Sequence, residues 1–459
     1  MASDSISWSK AAMAEEKTET RIETTISDLS KDDPPNGGWT AWSQVGAAHM
    51  ITFFSWGIIN SFGVFQSYYL QVLPQRSSSI SWIGSIQVFL IFFIGVFSGS
   101  AFDSGWRLDV LLGTGCLLNL LGIFMMSISK TYIHYILSQG ICCGIGYGLL
   151  FTPAISVVRT YFSSRRTLAL GLVLSGTATG GIVIPALLRA AIPRVGFAWS
   201  VRCVGFMSLT LLPVSCYTLR RRLQPTNGGR VFSTTVLKDY DYVLYTVAMF
   251  FNLLGLFFAF FFIPQFAKSV LGFSSESSVD LLIIMNGMGM PGRLLPMWAA
   301  DRFWGPLMIS IPVNIVCSIL GFVLLATRTT ASAYVFAVLY GLFGAALIGL
   351  FPACLSSFSK DVGQTGARIG WGFSIASLAV LIGPPISGAL IDEVERDYRQ
   401  AQIFAACCLT IGSMTMLVMK LLQIRKTATT DTDPTRQRER SMPKLFLEVL
   451  SGRQRSGEV

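Results

Sequence analysis

The sequence predicts an all-α membrane protein of twelve transmembrane helices in two six-helix halves, on three observations. Of 459 residues, 52% are hydrophobic and only 13% charged, with a mean hydropathy of +0.57. Soluble domains carry about 25% charged residues, so most of this surface does not face water. Apolar stretches of roughly 20 residues, the length that crosses a bilayer, recur along the chain. The second set of these stretches also echoes the first at a nearly constant offset.

The stretches lie near 42–66, 80–101, 108–128, 132–155, 168–191 and 197–217, then 241–267, 279–299, 305–327, 331–355, 368–391 and 400–422. Charged or turn-forming residues separate them. The longest internal gap holds Arg220-Arg221-Arg222, Pro225, Asn227-Gly228-Gly229 and Lys238, which reads as a linker over 218–240 between bundles at 39–217 and 241–423. Residues 1–38, with 8 acids and 4 bases, and 424–459, with 5 acids and 8 bases, read as polar tails, the first of them disordered. The N-terminal tail has no apolar h-region for a cleaved signal peptide, so the first span is expected to direct insertion. The body keeps 12 acids and 23 bases, and its bases are scattered singly between apolar runs. That pattern orients helices in lipid and excludes a nucleic-acid face. With both tails cytoplasmic, inner loops hold thirteen Lys or Arg and outer loops eight, which favours that orientation. Among nine cysteines the adjacent pairs Cys142-Cys143 and Cys407-Cys408 lie in apolar runs, and no Cys-x-x-Cys or Cys/His spacing suggests a metal site or disulfide framework. No Asn-x-Ser/Thr sequon reports on sidedness.

The repeat has three anchors. Gly99-Ser100-Ala101-Phe102-Asp103-Ser104-Gly105-Trp106-Arg107 follows span two and Ala300-Asp301-Arg302-Phe303-Trp304-Gly305 follows span eight, with the aspartates 198 residues apart. Gly148-Leu149-Leu150-Phe151-Thr152-Pro153 in span four matches Gly349-Leu350-Phe351-Pro352 in span ten, with the prolines 199 apart. Arg166 and Gly181 match Arg368 and Gly383 at an offset of 202. Duplicated bundles are how secondary transporters place a substrate site at the midplane.

These residues resemble the major facilitator superfamily. Asn36-Gly37-Gly38-Trp39-Thr40-Ala41-Trp42 and Tyr161-Phe162-Ser163-Ser164-Arg165-Arg166-Thr167-Leu168-Ala169-Leu170-Gly171 resemble the two signatures of its monocarboxylate transporter family, in the fungal branch. The likeness covers about 36–423. It implies the major facilitator fold and a pocket lined from spans one, four, five, seven, eight, ten and eleven. Gln66, Phe257 and Phe261 are candidates there beside the site residues below. The sequence departs from the animal members at three places: Gly289 stands where they carry an aspartate four residues before Arg293, Asn60 where they carry a lysine, and Asn36 where they carry an acid.

The candidate substrate-binding residues are Arg293, Asn60, Asn286, Asn252, Tyr340 and His49. Arg293 lies deep in an apolar span, and an arginine there faces protein or a wet cavity. Its guanidinium suits a carboxylate gripped by two parallel hydrogen bonds; pairing with Asp301 is the structural alternative. Asn286-Gly287-Met288-Gly289-Met290-Pro291-Gly292 interrupts helix continuity just before it, as membrane helices do beside a cavity. The run Ser175-Gly176-Thr177-Ala178-Thr179-Gly180-Gly181 ending in Pro185 partly resembles an antiporter signature, with Ile184 in place of glycine; close helix packing accounts for the same run. His49 is either a proton carrier or a hydrogen-bonded packing residue. No acid lies near a span centre; Asp280 and Asp109 are close to span ends. Asp103, Arg107, Asp301 and Arg302 are read as gating residues at the cytoplasmic face. Arg165 and Arg166 open span five, where the helix dipole disfavours cations.

The expected function is a secondary carrier, working by alternating access and effluxing an organic acid or amphipathic secondary metabolite. Its partners are that small substrate, a co-transported or exchanged ion, and lipid. No phosphate loop, metal cluster or nucleophile constellation occurs, so neither a cofactor nor an enzyme activity is expected. The chain is expected to act as a monomer in the plasma membrane, with a vacuolar or other internal membrane as the alternative. Two other functions stand beside efflux: an uptake permease for a carboxylate or vitamin-like nutrient, and a non-transporting nutrient sensor.

Overall fold

The computed structural model describes residues 35–162, 165–222, 234–358, 362–392 and 394–430, and omits the side chains at 166, 167, 234, 235, 301, 362–367 and 426–430. Most of both expected tails (1–34 of 1–38, and 431–459 of 424–459) and most of the linker (223–233) lie outside the described residues, while 424–430 continue the last helix.

Among the described residues twelve helices cross the bundle. α1 is Gly38–Asn60, continued after a 41° bend by Phe62–Val72. α2 is Ser77–Asp103, α3 Leu108–Ile128 and α4 Tyr132–Tyr161. Arg166–Thr218 runs for 53 residues. At 1.5 Å per residue it is far longer than a hydrocarbon core of about 30 Å. It breaks at Gly196, whose φ of 77° and ψ of 168° suit a residue without Cβ, so α5 is 166–195 and α6 is 197–218. α7 is Tyr240–Ser269 and α8 Ser275–Ala299; a widened turn, Ala300–Trp304, then reaches Gly305, with φ 75°, at the start of α9, Gly305–Ala326. α10 is Thr330–Ser357, α11 Val362–Ala389 and α12 Arg399–Thr430. Among the described residues nine helices, or ten with bent α1 taken as one, are long and apolar enough to cross a membrane, and two of them, Leu168–Thr218 and Ser275–Ala326, are the double lengths just described.

Local sequence sets the helix starts. Asp239 caps α7 by accepting from the Asp241 and Tyr242 amides, Ser274 caps α8 from Ser277, and Thr329 with Ser332 forms a reciprocal capping box at α10. Large apolar residues such as Leu117, Val214, Ile319 and Val335 stay exposed, as expected of a wall facing lipid. Lipid tails give no hydrophobic drive for helix association, so close packing must supply it. α1 and α5 do this through glycines: a Cβ on Gly57 would sit 2.8 Å from Ile184 and 2.9 Å from the Gly180 backbone. The small-residue run of α5 is therefore packing surface along most of its length.

The halves meet along α2 with α11, α5 with α8, and the second segment of α1 with α7. The tail end of the bundle is where α1 begins and α12 finishes. At the opposite, far end the Ser78 hydroxyl donates to Pro385 O at 2.8 Å, Gln265 Nε2 to Ser77 at 3.3 Å, and Arg189 pairs with Asp280. Phe62 and Phe261 close ranks below them at 4.6 Å between ring centroids.

Candidate functional site

The bend in α1 creates the central polar contact. The Ser61 hydroxyl donates to Gly57 O at 2.6 Å, a side-chain bond that competes with the helix ladder, and Asn60 ends the first segment there. Asn60 Nδ2 donates to Thr177 O of α5 at 3.2 Å, and Asn60 O accepts from Asn286 Nδ2 of α8 at 3.5 Å. Gly181 makes room for that approach, since a Cβ there would stand 2.7 Å from the Asn286 amide carbon. Asn60 and Asn286, on different halves and both buried, are thus brought together.

Arg293 follows on the same face of α8, seven residues and roughly 10 Å nearer the tail end. It is half-buried, and its stem passes Gly349 of α10, where a Cβ would lie 3.3 Å from Arg293 Cγ. Its Nη1 donates to Gly289 O at 3.1 Å. Among the described side chains no carboxylate lies within ion-pair distance of it. Asp301, the alternative partner, is outside the described side chains. A Cβ on Gly289 would stand 2.9 Å from Arg293 Nη1, so an acid at that position would lie against the guanidinium.

The other expected ligands are placed elsewhere. Asn252 is fully buried at the seam of α7 and α12, where a Cβ on Gly412 would meet its amide, and it does not join the central contact. Tyr340 spends its hydroxyl on Leu256 O of α7 at 2.9 Å and stacks on Phe336, within the second half. Gln66 bonds Ser81 at 3.2 Å between α1 and α2. Phe257 packs in the core and Phe261 against Phe62. His49 is held at both ring nitrogens, 2.8 Å from Leu172 O at Nδ1 and 3.2 Å from Thr179 Oγ1 at Nε2. A carbonyl only accepts, so Nδ1 donates to Leu172 O, while the Thr179 hydroxyl beside Nε2 also bonds Gly176 O at 3.2 Å. That geometry favours the packing reading of His49.

Of the gating candidates, Asp103 and Arg107 stay within the first half, and the Asp301 side chain lies outside those described. Asp103 is exposed at the end of α2, with the Arg159 and Arg221 charges around it. Arg107 turns to Asp109 at 2.5 Å, its side chain 77% exposed, and the bond to Asp109 pushes its guanidinium further up. It therefore makes no latch between helices of different halves. Arg302 is exposed. Sequence reading assigned Arg221 and Arg222 to the linker, yet Arg221 bonds Phe102 O and covers its ring at 4.4 Å, while Arg222 bonds Thr160 O at 2.8 Å. It also passed over Arg368 with Asp239 at 2.7 Å, and Arg189 with Asp280. Arg368 stands out in the sequence only as a repeat anchor and Asp280 only as an acid near a span end, because partners 129 and 91 residues apart carry no local signal.

Twelve helices in two halves, meeting over polar contacts at mid-depth, define a membrane carrier. The profile of the Major Facilitator Superfamily matches residues 45–367, and the chain belongs to that family as a multi-pass integral membrane transporter, not an enzyme. An "MFS-type transporter" of Gibberella zeae is 40% identical over 405 residues, 87% of this chain and 91% of that protein. The "Aspyridones efflux protein apdF" of Emericella nidulans is 34% identical over 391 residues, covering 84% and 79%. The structure of the nucleoside transporter NupG superposes with a TM-score of 0.65 at 14% identity, over 82% of this chain and 99% of that one, a likeness of fold.

Proposed function

We propose that this carrier exports an amphipathic organic acid, a secondary metabolite, by alternating access of its two halves, and that it is of the monocarboxylate transporter-like branch. The observation that carries the reading is Arg293. It is a half-buried guanidinium on the Asn286 face, bonded to Gly289 O where the animal members of that branch hold an acid. With glycine in that place, the fork of donors is left for a carboxylate arriving with the substrate. Asn60 and Asn286 add neutral donors and acceptors near the mid-depth, which read hydroxyl or carbonyl groups of the cargo. The relative named for aspyridones efflux supports export over uptake. Both tails then face the cytoplasm, and the plasma membrane is the site of export.

In a strain lacking the gene, the cargo is expected to accumulate inside cells, and metabolite profiling of cells against medium reads this directly. Wild-type protein restores export and Arg293→Ala does not. Loss of a charge-assisted bidentate contact, worth about 1.5–3 kcal/mol each bond, corresponds to about tenfold or more in flux. Equal inside and outside levels in the deletion strain, or full rescue by Arg293→Ala at normal membrane abundance, refutes it.

A further inference from the structure

A chain of aromatic rings lies one helical turn from the Asn60 contact, toward the tail end, and it deepens the efflux reading on which it rests. Trp56 precedes Asn60 by four residues and shares its face of α1. Its ring meets Phe92 of α2 at 5.5 Å and Phe151 of α4 at 5.8 Å, both edge-on. Phe92 meets Phe373 of α11 across the halves at 5.2 Å and an interplanar angle of 30°, and Phe373 meets Phe351 of α10 at 5.2 Å. Phe151 and Phe351 lie in the matched stretches Gly148–Pro153 and Gly349–Pro352, so each half delivers a ring to the same layer. Phe151 and Phe373 are only half-buried, leaving part of the ring set open.

One polar group sits inside this layer. Trp56 is 4% exposed, and its Nε1 has no hydrogen-bond partner among the described residues. A buried indole N–H normally finds an acceptor, and leaving it without one is costly. An apolar chain fits the rings but offers that N–H nothing. A flat conjugated body with an oxygen at its edge answers both: it stacks in the offset geometry that aromatic faces prefer and supplies the acceptor.

We propose that Trp56, Phe92, Phe151, Phe351 and Phe373 form a docking platform for a planar, conjugated organic acid, which stacks against the Phe92–Phe373 pair and accepts a hydrogen bond from Trp56 Nε1. The cargo class is thereby narrowed from amphipathic acids in general to flat ones bearing a second oxygen away from the carboxylate.

Three acids separate the contributions when bound to the purified full chain in detergent: 6-methoxy-2-naphthoate, 2-naphthoate, and saturated decahydro-2-naphthoate. Wild-type protein is expected to prefer them in that order. Trp56→Phe, which keeps a ring and removes the donor, weakens 6-methoxy-2-naphthoate about fivefold more than it weakens 2-naphthoate. Phe373→Leu weakens both aromatic acids by about fivefold and spares the saturated one. The platform is overturned if the saturated acid binds as well as the aromatic ones, if both variants leave every affinity unchanged, or if none of the three binds. Arg293→Ala tests the anchor separately. An equal loss for all three acids supports the anchor; unchanged binding rejects it while the ring variants still decide the platform.

Discussion

Neutralising Asp280 tests whether the far end of the carrier is held shut by its ion pair with Arg189. Asp280→Asn keeps the side-chain shape and removes the charge on α8 that Arg189 of α5 meets across the halves. Both side chains are 36% exposed, so water screens the pair and its worth is that of a partly exposed bridge, about 0.5–1 kcal/mol. That corresponds to roughly a two- to fivefold shift in the ratio of far-end-closed to far-end-open carriers. Amide hydrogen exchange by mass spectrometry, on the full chain in lipid nanodiscs, reads that ratio as opening of the helix ends around 183–192 and 276–284. Asp280→Asn and Arg189→Gln are each expected to exchange about two- to fivefold faster there at low salt. The exchanged pair Arg189→Asp with Asp280→Arg recovers protection, and raising the ionic strength shrinks every difference. Single variants exchanging at the wild-type rate, or a double variant no better than either single, refute the assignment of this pair as a latch.

Two further perturbations probe the packing. Gly181→Ala places a methyl 2.7 Å from the Asn286 amide carbon and overpacks the seam by about 1–3 kcal/mol, so flux into proteoliposomes falls, whereas Gly46→Ala, with nothing within 4 Å, is neutral. Arg368→Ala leaves Asp239 without its partner across α7 and α11; with the arginine side chain 9% exposed, thermal denaturation should show a loss of about 3 kcal/mol, and Arg107→Ala, on an exposed pair, no measurable change.

The fold was legible because a bilayer constrains a helix to one length and one polarity, and both are written locally. The α10 stretch expected at 331–355 is Thr330–Ser357; the break at Gly196 falls in the gap between the fifth and sixth expected spans, and the one at Gly305 on the first residue of the ninth. The bend of α1 escaped notice, since Asn60-Ser61 carries neither proline nor glycine and the run stays apolar through Phe65. The site was half legible. Asn60, Asn286 and Arg293 are polar groups deep in apolar spans, an arrangement that membranes tolerate only for a reason, and two of the three meet across the halves. Asn252 satisfied the same rule, yet it faces α12, because periodicity within one helix does not say which neighbour lies opposite. Trp56 was invisible for the converse reason: in a chain with 12% aromatic residues, a tryptophan in a span carries no signal until its N–H is found without an acceptor.

The duplication makes the two inter-half seams comparable, and their differences point to the chemistry of the cargo. By the 198-residue offset, Asp280, Asn286 and Arg293 of α8 correspond to Trp82, Val88 and Gly95 of α2. By the 202-residue offset, Thr177 and Arg189 of α5 correspond to Ala379 and Ile391 of α11. The scaffold is therefore symmetric while one seam, α5 with α8, has the amides and charges, and its counterpart, α2 with α11, joins at mid-depth through Phe92 and Phe373. A polar wall facing an aromatic wall rewards a molecule with one polar edge and one apolar face, and rewards it in one orientation. Mirror-image seams would hold a symmetric or wholly apolar molecule equally well either way round. The asymmetry locates the divergence of the two halves in the residues that face each other rather than in those that pack within each bundle.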